Sequence, residues 1–133
     1  DDDKDSFLQV TLRKLIDGDE LVFSSGIQYF DVISTKDCIH GYFLICMKGV
    51  PGEEYWVGSG EPRRLREYIE RMYNMFPSGQ EMQFGKLPYN DVTLNPKVFS
   101  IELLCSHTGY KPSMTFEQTV RELHDSFVNS GSN

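Results

Sequence analysis

The chain has 133 residues and a mass of 15.3 kDa, enough for one compact domain with its own core. Its formal net charge is −7; without residues 1–4 (three aspartates and one lysine) the remainder still carries −5, which argues against nucleic-acid binding, where Lys and Arg must replace the counterions on phosphate. No apolar run approaches the length of a membrane span, no signal peptide is visible, and Cys38, Cys46 and Cys105 are odd in number and unclustered, as expected in the reducing cytoplasm rather than in a disulfide scaffold.

Taken in chain order, Asp1, Asp2, Asp3, Lys4 and Asp5 resemble the remains of an enterokinase-type tag site, so residues 1–5 are expected to be a tag remnant or disordered. Residues 6–17 read as a helix with Leu8, Leu12, Leu15 and Ile16 on one face and Gly18 as its stop. Residues 20–23 and 30–34 read as short strands. Asp37 reads as an N-cap, its carboxylate placed to accept from free amides of the first turn. The helix behind it carries Ile39, Tyr42, Phe43, Cys46 and Met47 at i, i+3, i+4, i+7 and i+8, and ends at Gly49 or at Pro51 and Gly52.

Residues 54–57 form a further β-prone run, closed by Gly58, Ser59 and Gly60. Pro62 suits the first turn of the next helix, whose stripe is Leu65, Ile69, Met72 and Phe76; Pro77, Ser78 and Gly79 end it. Residues 81–84 read as a strand, 85–97 as irregular, and 98–105 as a short helix. Thr115 and Gln118 make a capping-box pair that opens a last helix with Phe116, Val120, Leu123 and Phe127 on one face. Residues 129–133 read as a disordered polar tail. The expected fold class is α/β, with short strands and four to five helices over residues 6–128.

Chemistry is sparse. There is no GxGxxG and no P-loop. Gly58, Ser59 and Gly60 precede a helix, so free amides there could hold an anion; a plain tight turn is the simpler explanation. His40, His107 and His124 lack metal-ligand spacing, and the cysteines have no adjacent base that would activate a thiolate. Asp17, Asp19 and Glu20 sit at a helix end, as a solvated turn would. Arg63, Arg64 and Arg66 read as a solvated helix face, with an anionic ligand as the alternative. No catalytic, cofactor-binding or metal-ligating residue is assigned.

Four segments, in order, resemble a known family. The run from Ser24 through Gly26, Gln28, Phe30 and Asp31 to Asp37 is similar to the G-x-Q-x-W-D-[FY]-I-[HY]-V-x-D segment of extended short-chain dehydrogenases/reductases. Tyr55 to Ile69 resembles their Y-N-[IV]-G-S-G-x-x-x-x-L-x-x-[YL]-I. Phe84, Gly85, Lys86, Leu87, Pro88 and Tyr89 resemble F-G-x-x-P-Y-R. Thr108 to Pro112 with Phe116, Glu117 and Gln118 resembles the closing T-G-W-x-P segment.

The resemblance implies the C-terminal, substrate-side part of an NAD(P)-dependent nucleotide-sugar epimerase, dehydratase or reductase, a fragment of a Rossmann-type enzyme. NAD or NADP would belong to the full-length parent and not to this chain, which lacks both a Tyr-x-x-x-Lys pair and the pyrophosphate-binding first βα turn. A nucleotide sugar would bind only together with the missing N-terminal domain. The positions implied for substrate binding are Gln28, Phe30, Asp31, Asn90 and Asp91. Phe30 and Asn90 stand where many relatives carry arginine, and neither neutralises a phosphate. The alternatives are a free-standing protein-interaction module without catalytic activity, or an unrelated small enzyme. Residues 54–57, an unpaired strand in the absence of a large sheet, and the two apolar helix faces beside it lead to an expectation of self-association.

Overall fold

The computed structural model describes residues 6–88 and 95–131. These include five α-helices, one 3₁₀ turn and four strands of two residues each, an α/β arrangement as expected from the pattern. Residues 1–5 and the expected site residues Asn90 and Asp91 lie outside the described residues. The chain divides into two compact units: residues 1–28, 64–93 and 120–133 form one, residues 29–63 and 94–119 the other.

In the first unit, α1 (Ser6–Asp17) buries Leu12 and Leu15 and ends at Gly18, whose φ of +71° is a left-handed conformation natural to glycine. Ile16, expected on the buried face, is 40% exposed: the buried face is formed by Thr11, Leu12 and Leu15, which leaves Ile16 at its edge. β1 (Leu21–Val22) pairs in parallel with β4 (Met82–Gln83), Leu21 opposite Met82 and Val22 opposite Gln83. Both expected strands therefore exist, each shortened to its centre. α3 (Leu65–Met75) buries Tyr68, Ile69 and Met72. It starts three residues after Pro62, later than expected, because residues 63–64 are extended as β3 and the Arg64 amide donates to the Glu67 carboxylate at 3.2 Å.

In the second unit, β2 (Tyr29–Phe30) pairs with β3 (Arg63–Arg64), the strand at which the chain passes back to the first unit. The expected strand over 30–34 stops at Phe30, since Asp31 and Ser34 turn to serve as hydrogen-bond acceptors. α2 (Thr35–Lys48) is capped by Ser34 and not by Asp37: the Ser34 hydroxyl accepts from the Asp37 amide at 3.1 Å, and Asp37 lies inside the first turn. Residues 54–57 join no strand among the described residues. The single helix expected over 98–105 is a 3₁₀ turn (Pro96–Phe99) followed by α4 (Glu102–Thr108), broken at Ser100 and Ile101. Phe99, Leu104, Tyr110 and Phe116 form the core of this unit.

α5 (Phe116–Gly131) opens with the expected box: the Gln118 amide donates to the Thr115 hydroxyl at 3.1 Å and the Thr115 amide to Gln118 Oε1 at 2.8 Å. It stays helical through Gly131, so residues 129–131 are helix and not tail; nothing between Asn129 and Ser130 breaks the hydrogen-bonding pattern.

Candidate functional site

The loop after β1 brings two of the recognised segments together in the first unit. The Phe23 amide donates to the Gln83 carbonyl at 2.9 Å, the Gly85 amide to Ser24 at 3.0 Å, and the Lys86 amide to Phe23 at 3.0 Å. On the other side of the loop, the Arg66 amide donates to Gly26 and the Leu65 amide to Gln28, both at 2.8 Å. Gly26 has a φ of +67°, and a Cβ there would come within 3.0 Å of the Arg66 backbone nitrogen, so both its conformation and its close approach call for glycine.

Side chains complete this surface. Arg64 Nη1 donates to the Ile27 carbonyl at 2.6 Å. The Arg66 guanidinium lies 4.3 Å over the Phe84 ring and also meets Glu70 at 3.1 Å, while Phe84 and Phe23 stack with centroids 5.4 Å apart. Gln28 is 6% exposed, and its Oε1 is buried with no hydrogen-bond partner. An unmet buried acceptor costs on the order of 1–3 kcal/mol, which a ligand N–H or O–H would recover. Arg64 and Arg66, the latter also paired with Glu70, and the Phe84 ring beside this loop suit an anionic or planar ligand. Gln28 is among the residues expected from the sequence, whereas the arginines were expected to form a solvated face; the run Arg63, Arg64, Arg66 was the only signal for them.

Phe30 and Asp31 belong to the second unit. Phe30 is half-buried in β2. Asp31 accepts from Trp56 Nε1 at 3.0 Å, from the Ser59 amide at 3.1 Å and from the Ser59 hydroxyl. Its carboxylate thereby holds the 58–60 turn. A Cβ on Gly58 would collide with the Asp31 carboxylate and with Trp56 Nε1, so a residue other than glycine would break this clamp.

Two further groups of this unit were not legible in the sequence. Asp37 is 1% exposed and accepts from the Ser113 amide at 2.9 Å, the Ser113 hydroxyl at 2.6 Å and the Met114 amide at 3.0 Å. Burial alone would raise its pKa, yet the bonds from Ser113, Met114 and Ser34 hold the carboxyl below the ordinary range. Tyr110 is fully buried and donates to the Gly58 carbonyl at 2.9 Å. Burial first, then the charges of Asp37 and Asp31, push its phenol far above the ordinary value, away from what proton transfer at neutral pH requires. All three histidines have ring or hydrogen-bond partners: Tyr55 lies 2.7 Å from His107 Nδ1, the His124 ring stacks on Phe76 at 3.7 Å, and the His40 ring lies 6.3 Å from that of Tyr110. No group of three metal-ligating side chains occurs among the described residues.

No family model and no curated protein matches the chain. Solved structures do. RMD from Pseudomonas aeruginosa, complexed with NADPH, superposes with a TM-score of 0.78 at 21% identity over 96% of this chain and 44% of its own. UDP-glucose 4-epimerase from Thermotoga maritima, with UDP-glucose, gives 0.79 at 15% identity over 94% and 40%. dTDP-glucose 4,6-dehydratase from Bacillus anthracis, in complex with NAD, gives 0.74 at 18% over 94% and 40%. The chain thus spans less than half the length of each. The described residues therefore share the fold of the corresponding part of these solved enzymes.

Proposed function

We propose that the chain supplies the C-terminal, substrate-side portion of an enzyme acting on a nucleoside-diphosphate sugar. The observation that carries this is the meeting of residues 23–24 with residues 83–87 and of residues 26–28 with residues 64–66, in a loop that also holds the buried, unpartnered Gln28 Oε1. The guanidinium groups suit the diphosphate, and Gln28 suits a base or sugar donor. Arg64 and Arg66 supply positive charge beside this loop. The fold supports the same reading, since the neighbours named above are described with UDP-glucose, NAD or NADPH.

In this reading the chain itself is inactive and works with a separate dinucleotide-binding domain in the cytoplasm. The glycine-rich turn does not fit a pyrophosphate: the Ser59 amide, which would have to face the anion, is already occupied by the Asp31 carboxylate, a negative charge. No step of the chemistry is routed through NAD or NADP on these residues.

Ligand-observed NMR with uridine, thymidine and cytidine diphosphate sugars tests the proposal. The expected result is weak binding, with Kd no tighter than about 1 mM, competed by the free nucleoside diphosphate and lost in Arg66→Ala. Calorimetry should show no binding of NAD or NADPH. Micromolar affinity for either dinucleotide, or silence of every nucleotide sugar, would overturn it. A second reading, a protein-interaction module, is favoured by one observation: the exposed apolar face of α2.

A further inference from the structure

Ile39 is 65% exposed, Tyr42 60%, Phe43 59% and Met47 67%, with Cys46 exposed between them. Their spacing puts all five on one face of α2 over roughly 12 Å of helix. Scattered exposed apolar residues are ordinary, but a contiguous stripe marks a contact surface. Of the acidic and basic side chains of α2, Lys36 and Lys48 lie near its ends, Asp37 is buried, and the exposed His40 borders the stripe beside Phe43 and Met47.

We propose that this face pairs with the same face of a second copy, the two α2 helices running antiparallel about a two-fold axis at Phe43. The two ends of the stripe are equidistant from that residue, four positions to Ile39 on one side and four to Met47 on the other, and the same axis sets Cys46 against the other copy's exposed His40. A two-fold axis there sets each Phe43 against its mate and each Ile39 against the other copy's Met47, the self-complementary contact that closed dimers use. Charge selects the direction. Parallel pairing would set Lys36 against Lys36 and Lys48 against Lys48, whereas antiparallel pairing carries Lys36 past the other copy's Met47, towards the exposed Glu53 and Glu54 that follow the helix.

Area is adequate. An aromatic side chain offers ~150–250 Å², so Tyr42 and Phe43 at about 60% exposure, with the smaller Ile39, Met47 and Cys46, give roughly 500 Å² per copy at most. A pair then buries about 1,000 Å², the lower bound for a specific interface and the size of a reversible one. The pairing is independent of the nucleotide-sugar reading, since it uses no residue of the 23–28 loop.

The test is sedimentation velocity on the chain up to high micromolar concentration. A monomer–dimer equilibrium is expected, from 15.3 kDa to about twice that mass. Phe43→Glu should weaken association about 100-fold with an unchanged circular dichroism spectrum. Ile39→Glu and Met47→Lys should each weaken it about tenfold or more. The variant carrying both should recover it, because the carboxylate introduced in one copy would then face the ammonium introduced in the other. A monomer at every concentration overturns the pairing. So do association indifferent to Phe43→Glu, a double variant that fails to recover, and a monomer whose α2 face is instead protected from hydrogen exchange by an added dinucleotide-binding domain.

Discussion

α2 and α3 carry the same kind of pattern and meet opposite fates. Each presents apolar residues at helical spacing on one face. α3 buries that face, with Tyr68 at 1% exposure, Ile69 at 2% and Met72 at 0%. The residues α2 buries are Asp37 and Gly41, while its apolar stripe faces outward. α2 is held instead by a carboxylate satisfied from Ser113 and Met114 and by close backbone approach at Gly41. Periodicity says that a helix has an apolar face; it does not say which molecule covers it.

The sharpest break between the two helices comes from truncation. Met72→Ala removes a fully buried side chain from α3 and should cost about 2–5 kcal/mol, seen as a lower urea midpoint with an unchanged slope. If this variant proved neutral, α3 would be no better anchored than α2.

At Gly41 two effects compete. Alanine gains about 1 kcal/mol of helix propensity over glycine, but its Cβ would come 2.5 Å from Val57 Cγ1 and 3.2 Å from the Tyr110 ring. Overpacking against a stiff valine costs about 1–3 kcal/mol. Gly41→Ala should therefore be destabilising by up to ~2 kcal/mol, and a stabilised variant would show that α2 is only loosely seated.

Acid should loosen α2 before α3. The Asp37 carboxyl is held below its ordinary value of 3.8 in the folded chain. The stability it contributes is therefore fully present above that value and is lost as the pH falls through it towards the folded pKa. Unfolding midpoints at about pH 7 and about pH 3 should show an acid loss that Asp37→Asn makes smaller. An unchanged loss would mean that other carboxyls carry it.

The smallest effect is expected on the α2 stripe. Phe43→Glu should change the stability of the monomer by no more than about 0.5 kcal/mol, measured at concentrations too low for association. A loss as large as that of Met72→Ala would mean that the stripe packs within its own chain.

Local patterns determined a good deal of this molecule. The helix of residues 6–17, the Thr115 and Gln118 capping box and the stripes of α2 and α3 follow from spacing and from short-range hydrogen bonds, and the sequence carries both. β1 and β4 were legible as positions but not as lengths, because two residues of pairing depend on a partner far along the chain, as Leu21 depends on Met82, whereas β3 falls on residues read as helix. Residues 54–57 have the composition of a strand and pair with nothing described, for the same reason. Of the site, Gln28 was legible through resemblance alone. That Arg64 and Arg66 lie against its loop, that Asp31 is spent on Ser59 and Trp56, and that Asp37 reaches across to Ser113 rather than capping its own helix were decided by tertiary structure. Each requires segments distant in the chain to meet, and a single side chain's choice among possible acceptors and donors is settled only by what the fold places within about 3 Å of it.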